Sequence, residues 1–292
     1  MKVVILGATG QLGSIIFQKL LKTFPTWQLI GTSRKNTNSK IGNIIGFDPF
    51  TSNWSILGHA DILINCIGII NEHGDNTYKK LHIQLAEKML QQRQNIGNPF
   101  IINISALGAN SWSRSAFLST KAIADNVLLK AGNCVIVRPS IVCTPGTMLV
   151  KKLRQLRNIS RFTFGHIPAP EKMLSVKIQP VMPGDFTEII ARLCESASRP
   201  HIIQIAGPHA FTLKQLICFT DPVKIVSLKS PVFNKLVNLA AMLFPFIISR
   251  EQLLLLQQNN TACTKHAEEI LGRQLLTTEA FWPLQLKNNA AD

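Results

Sequence analysis

Three glycines and a lysine are the residues in this chain whose types and spacing could do chemistry. GATGQLG places Gly7, Gly10 and Gly13 directly after the apolar run KVVIL and at the head of an amphipathic stretch, QLGSIIFQKLLKTF. Glycine has a definite use at each place. The turn is tight, the backbone must approach a pyrophosphate closely, and the helix that follows must pack hard on the strand. The N-terminus of that helix then offers free N–H groups and a positive dipole end to phosphate. The alternative is a merely structural turn, and the strand before and helix after favour the nucleotide.

The end of the second apolar run bears on which nucleotide. A carboxylate some twenty residues beyond the glycines binds the ribose hydroxyls of NAD. Here the run ends Gly31–Thr32–Ser33–Arg34–Lys35, with no acid. A carboxylate would repel a 2′-phosphate, whereas Arg34 can grip one bidentately. NADP(H) is the expected cofactor and NAD(H) the lesser alternative; a solvated basic loop is the competing reading of Arg34 and Lys35. Lys121, in AFLSTKAIAD, stands at the start of a helical pattern, and either holds a ligand or is an ordinary surface lysine.

These residues need a scaffold, and the chain supplies one. Nearly unbroken β-branched runs recur at 2–7, 27–33, 43–47, 61–68, 100–105, 134–140 and 201–207. Strands buried on both faces look like this. Between them lie helical patterns at 11–24, 78–92, 120–129 and 185–196. The alternation predicts an α/β fold, a Rossmann-type doubly wound parallel sheet with a small discontinuous C-terminal lobe. Residues 1–145 plus 180–207 are expected to form the NAD(P)-binding domain. Residues 146–179 plus 208–292, where the rhythm breaks, are expected to form a small lobe for substrate or partner.

The bulk numbers exclude several classes. A chain of 292 residues, 46% hydrophobic and 16% charged, has ample core and no mark of disorder. Met1 runs straight into an apolar run, so no leader is expected, and no apolar stretch reaches membrane-spanning length. Six cysteines lie far apart with no C-x-x-C, so packed, reduced thiols are expected. The seven histidines show no ligand spacing, and no metal site is expected.

Of the net charge of +15, an anionic cofactor accounts for a few units; for the rest an anionic membrane surface, an acidic partner and simply a basic proteome stay open. No nucleic-acid motif accompanies it. VKKLRQLRNISRF, 150–162, carries five cations and no acid, with Leu149, Leu153 and Leu156 at helical spacing. It reads either as an ordinary lobe helix or as a basic amphipathic helix on a membrane or partner. The apolar segment 231–248 raises the same choice. The protein is expected in the cytoplasm, free or held peripherally on the inner face of a membrane.

Together GATGQLG, INCIGI (64–69), INISALGAN (102–110), the Lys121 helix, VIVRPSIV (135–142) and IIQIAGPHAFTLKQL (202–216) resemble the atypical short-chain dehydrogenase/reductases. The likeness is greatest to the nucleotide-binding accessory subunit of respiratory complex I and its bacterial relatives, through ISALGAN, SREQLLLLQQNNTAC (249–263) and LLTTEAFWPLQL (275–286). It covers essentially the whole chain and is weakest over 146–182.

The resemblance implies that Gly7, Thr9, Gly10, Gln11, Leu12 and Gly13 embrace the pyrophosphate. Ser33 and Arg34 would meet the 2′-phosphate, Asp48 the adenine, and Ile67 and Gly68 the adenosine. Lys121 would hold the nicotinamide ribose, with Pro139 and Ser140 near the nicotinamide. Active members of the superfamily carry a tyrosine proton donor where this chain has Phe117, and a Ser or Thr that orients the carbonyl. Phenylalanine has no proton to give, and the single tyrosine, Tyr78, lies outside the lysine motif. Ser105 or Ala106 occupies the serine position.

Three roles remain open at this stage. The first is a complex-I-accessory-like protein holding NADP(H) for structure or regulation. The second is an active oxidoreductase of epimerase type, in quinone or isoprenoid metabolism, that uses Lys121 and Ser105. The third is a reversible NADP(H) sensor.

Overall fold

The computed structural model describes residues 1–34, 43–162, 164, 166–219, 224–228 and 249–287. Lys35 and the segment 231–248, both singled out above, lie outside the described residues. Seven parallel strands form one sheet in the order β3-β2-β1-β4-β5-β6-β9. They are β1 (Lys2–Leu6), β2 (Gln28–Ser33), β3 (Ile44–Gly46), β4 (Ile62–Asn65), β5 (Phe100–Ile104), β6 (Cys134–Pro139) and β9 (Ile202–Ile205). Each falls inside a run read from the sequence. The order reverses between β1 and β4, and the crevice outside the carboxyl ends at such a switch point is where this architecture receives ligands.

The unbroken apolar runs have a simple cause. Successive side chains of a strand point to opposite faces, and both faces here are covered. Val3 and Ile5 of β1 pack with Ile16, Phe17 and Leu20 of α1 (Gln11–Thr23) and Phe186 and Ile190 of α6 (Pro183–Glu195). Val4 and Leu6 pack with Leu85 and Met89 of α2 (Leu85–Gln92) and Leu128 of α3 (Ala116–Ala131) on the other side. Helix α2 continues a π-helical segment, Lys79–Gln84.

Helix α3 starts four residues earlier than its apolar pattern implies. Ser115 stands in extended conformation and its Oγ accepts from the Leu118 N–H at 3.2 Å, capping one of the donors that a helix leaves unpaired. That extra turn is the one that carries Phe117.

A second, smaller core gathers Leu149, Val150 and Leu153 of α4 (Met148–Phe162) with Leu174, Phe211, Leu216 and Trp282. Its strands form two short sheets. β7 (His166–Pro170) pairs parallel with β11 (Lys224–Leu228), and β8 (Lys177–Ile178) pairs antiparallel with β10 (Phe211–Thr212). In α4, Leu149 and Leu153 are buried and Lys151 is exposed, as the spacing implied. The tail then returns to the sheet. Ala267, Leu271 and Leu275 join the core under α6, and Asp185 at the start of α6 accepts from the Leu276 N–H at 2.6 Å and pairs with Arg273 at 2.7 Å.

All six cysteines are free. Four are buried or half-buried, but Cys218 and Cys263 are exposed, which corrects the expectation that all are packed. Beside Cys218, Leu216 and Ile217 turn inward and leave the thiol on the outer face of its helix. Among the described residues no helix is long and apolar enough to cross a membrane.

Trp282 is fully buried in the small core. Replacing it with alanine should cost about 3–5 kcal/mol through lost burial and the cavity left behind, read from urea unfolding. A loss below about 1 kcal/mol would place the stability of this lobe elsewhere.

Candidate dinucleotide site

The glycine loop is built as its chemistry requires. Gly7 adopts φ +75, a left-handed conformation that strains side chains, and its carbonyl accepts from the Gly10 N–H at 2.9 Å. A Cβ on Gly13 would stand 2.2 Å from the Gly7 oxygen, so only glycine lets α1 come this close to β1. Gly10 is the N-cap of α1, with no side-chain cap and no acid in the first turn. An uncapped, acid-free helix start facing the carboxyl edge of the sheet fits an anionic pyrophosphate. Leu12 lies in that first turn. Gln11 reaches across the sheet edge to the loop after β6, where its amide donates to Thr147 at 2.9 Å and also to Thr144.

On the adenosine side, Ser33 and Arg34 close β2. Thr9 Oγ1 bonds Ser33 Oγ at 3.2 Å, and the exposed Arg34 donates to Asn76 Oδ1 at 2.7 Å. That places the guanidinium between the end of β2 and the loop after β4. Asp48 is half-buried and its carboxylate is spent on the Phe50 N–H at 2.8 Å. Ile67 packs against Gly7, its Cγ1 lying 3.0 Å from where a Gly7 Cβ would stand, and its N–H is held by Asn65 Oδ1 at 3.1 Å.

On the opposite side, Lys121 is buried, which removes the surface-lysine reading. Its Nζ donates to the Ile104 carbonyl at 3.0 Å and lies 3.0 Å from where a Gly68 Cβ would stand. Gly68 is thus the space through which this ammonium faces the crevice. Burial pushes Lys121 down to about 8, against the attraction of Asp125 and Cys66, and pushes the Cys66 thiol up to about 12.

Phe117 sits one helical turn before Lys121 in an aromatic cluster. Its ring meets Tyr78 and His82 edge-on, with centroids 6.2 and 5.7 Å apart. Sequence separation hid this meeting, which brings the single tyrosine beside the phenylalanine. The Tyr78 hydroxyl is engaged, donating to the Ile70 carbonyl at 2.5 Å, and burial together with Glu251 and Glu72 pushes it up to about 12. His82 Nδ1 pairs with Thr120 Oγ1 at 2.8 Å. Burial and Lys121 hold its imidazole down at about 2, so it stays neutral.

Ser105 does not face the crevice freely. Its Oγ donates to Asp125 Oδ2 at 2.8 Å, inside a buried network in which Asp125 also pairs with Arg138 at 2.9 Å and accepts from Asn103 at 3.3 Å. Asn103 in turn accepts from Asn65 at 2.8 Å. Burial pushes the Asp125 carboxyl up, while Ser105 and Arg138 pull it down.

Pro139 ends β6, its carbonyl accepting the Leu107 N–H at 3.0 Å, and the neighbouring Ser140 donates to Asn260 Oδ1 at 2.5 Å. The structure therefore gathers the predicted residues along one sheet edge. It adds Asp125, Tyr78, His82, Glu251 and Asn260. Of these only Asp125 had a signal in the sequence, its i+4 spacing from Lys121 on one helix.

No protein-family model matches the chain. It is 28% identical over 229 residues to the Arabidopsis thaliana protein named NADH dehydrogenase [ubiquinone] 1 alpha subcomplex subunit 9, mitochondrial, a match covering 73% of this chain and 55% of that one. The chain thus spans about half the length of this curated relative. Among solved structures it is similar to a UDP-glucuronic acid 4-epimerase from Bacillus cereus in complex with NAD, at TM-score 0.71 and 15% identity, covering 97% of this chain and 96% of that one. It is also similar to a nucleoside-diphosphate-sugar epimerase from Staphylococcus aureus, at TM-score 0.74 and 13% identity, covering 97% and 100%. The resemblance to the atypical short-chain dehydrogenase/reductases holds. The chain is similar in sequence to a complex I subunit and has the Rossmann-type α/β fold found in these epimerases.

The buried lysine yields a pH test. Its folded pKa, about 8, lies below the usual lysine value of 10.5. Between these values the unfolded chain binds more protons, so stability rises with pH across that window. The stability of the wild type relative to Lys121→Met should therefore grow by up to about 3 kcal/mol from pH 8 to pH 10.5. Parallel urea titrations measure it; a flat difference would show that the amine is solvated.

Proposed function

We propose that this chain holds NADP(H) without turning it over, in a structural or regulatory role like that of a complex I accessory subunit. A nicotinamide dinucleotide supplies hydride transfer when bound. What this chain supplies is a seat. Gly7, Thr9, Gly10, Gln11, Leu12 and Gly13 take the pyrophosphate, and Ser33 and Arg34 take the 2′-phosphate. Asp48, Ile67 and Gly68 border the adenosine, Lys121 holds the nicotinamide ribose, and Pro139 flanks the ring.

One observation carries the non-catalytic part. Around Phe117, which has no hydroxyl, the nearby proton-bearing groups are committed elsewhere: Tyr78 to Ile70, Ser105 to Asp125, and the neutral His82 ring through Nδ1 to Thr120, its buried Nε2 having no partner among the described residues. General acid catalysis typically contributes about 10²–10⁴-fold, and that contribution is what the arrangement gives up. The kinship with a complex I subunit supports a protein partner. The exposed Lys151 and the basic composition of the α4 segment suit an anionic surface, protein or membrane.

The cofactor preference is tested by fluorescence titration. NADPH should bind more tightly than NADH, and Arg34→Ala should weaken NADPH selectively, by about 1–3 kcal/mol. Equal losses for both nucleotides, or a wild-type preference for NADH, would overturn the assignment of Arg34.

Turnover is tested separately. The wild type should bind NADP(H) yet reduce no member of a broad carbonyl panel at an appreciable rate, and Phe117→Tyr should recover part of the missing factor. A wild-type kcat in the ordinary enzymatic range, about 1–10³ s⁻¹, would instead establish the active oxidoreductase and return the search for a donor to Ser105 and Tyr78.

A further inference from the structure

The carboxyl edge of the sheet, where a ligand would enter, is crossed by the chain's own tail. Ser249 Oγ and Gln252 Nε2 reach Asn71 Oδ1, in the loop after β4, at 3.0 and 3.3 Å. In the short helix Arg250–Leu255, the Glu251 carboxylate accepts from Ser115 Oγ at 2.8 Å and from the N–H groups of Ala116 and Phe117 at 3.2 and 3.3 Å. A side chain distant in sequence thus completes the cap of the helix that carries Phe117 and Lys121. Further on, Asn260 bridges the loops after β5 and β6, accepting from Ser140 Oγ and donating to the Leu107 carbonyl at 3.4 Å. The backbone then locks onto the edge of the small lobe. Lys177 N donates to Asn259 Oδ1 at 2.9 Å, Asn260 N to the Lys177 carbonyl at 2.8 Å, and Ala262 N to Gln179 Oε1 at 3.0 Å.

These contacts share a direction. They run from the β4 loop, over the start of α3, to the β5 and β6 loops and on to β8, crossing the mouth of the crevice, while Leu253 is buried and Leu256 anchors the segment on the small core. The partners they choose are groups bordering the proposed nicotinamide end: the N-terminal turn of the Lys121 helix, and Ser140 beside Pro139. Glu251 is the charged member. Its position on open helix N–H groups is one that an anionic substrate group would otherwise favour.

We propose that Ser249–Ala262 is a built-in occupant of the substrate side, with Glu251 and Asn260 as positioning residues that fix α3 and the β6 loop around the dinucleotide. The proposal rests on the NADP(H)-holding reading above. With the strap in place the dinucleotide leaves only when the strap lifts, and an external substrate has no face to dock on. The protein then behaves as a holder with slow exchange.

The test measures NADPH dissociation by displacement, following the fluorescence of the bound nicotinamide in full-length protein. The variants are Glu251→Ala, Asn260→Ala, and Ser115→Ala, which removes a partner of Glu251 from the other side. Each should release NADPH at least tenfold faster, with Glu251→Gln intermediate because it keeps one acceptor. Hydrogen exchange of 249–262 in the wild type should slow when NADPH is added. Association should accelerate together with dissociation, because entry requires the same lifting of the strap, whereas loss of fold would lower the amount of nucleotide bound.

Unchanged dissociation in Glu251→Ala and Ser115→Ala, or exchange in 249–262 indifferent to NADPH, would overturn the strap. Should one variant fail to fold, the remaining variants and the wild-type exchange measurement decide. A wild type that binds no dinucleotide at all would overturn the holding reading first, and is distinguishable because binding is measured before dissociation.

Discussion

The separation between Gly7 and Gly13 governs the rest of this molecule. With no Cβ at position 13, α1 approaches the end of β1 closely enough for its first turn to open on the sheet edge. A methyl group there would meet the Gly7 oxygen at 2.2 Å, and the helix would have to shift as a body. Gly31 repeats the constraint one strand away, where a Cβ would meet that of Ala8 at 2.7 Å and Phe17 at 3.2 Å. Gly13 in the helix and Gly31 on the neighbouring strand therefore set how near the helix lies. The direction of its N-terminal amides follows from that placement. Packing this dense tolerates little added volume, so the phosphate seat and the core on that side of the sheet are a single construction.

The opposite face is organised by charge. Asp125 is wholly buried, and three elements meet at it: β5 and its end through Asn103 and Ser105, β6 through Arg138, and α3 itself. A buried carboxylate is costly unless its oxygens are fully used. Here they are, and the geometry that satisfies them also fixes the rotation of α3. Lys121 lies one turn away on the same helix and is aimed at Ile104 and Gly68 by that rotation. The network explains why Ser105 is unavailable to a substrate. Its proton is already given to the charge that holds the lysine helix in place.

Local patterns in the sequence were sufficient for the sheet. Seven unbroken apolar runs became seven strands because both faces are covered, and the glycine spacing located the helix start that depends on it. Patterns of this kind carry information over a few residues. Tertiary contacts do not. The start of α3 was misplaced because its cap, Ser115, precedes the apolar periodicity and is completed by Glu251 from the far end of the chain. Tyr78 and Phe117 gave no sign of meeting, since nothing in either segment encodes the π-helical turn that brings them together. The return of Ala267 and Leu271 to the sheet core was equally hidden, as a short amphipathic stretch does not say which core it joins.

The two departures from an oxidoreductase site are connected by geometry. A tyrosine at position 117 would set its hydroxyl near the edge-on rings of Tyr78 and His82, where the Tyr78 hydroxyl and His82 Nδ1 are already paired within the protein and the buried His82 Nε2 is not. Glu251 bonds the backbone N–H of Phe117 itself, so the tail reaches the turn from which a catalytic phenol would project. A reactive hydroxyl there has a use only if substrate can reach it. Once the tail lies across that mouth, an apolar ring that packs is the better occupant, and on the proposed reading the lysine has only a ribose to hold. On that reading the missing hydroxyl and the crossing tail belong to one site: where no substrate can enter, a proton donor has no use, and where there is no donor, nothing is lost by the crossing.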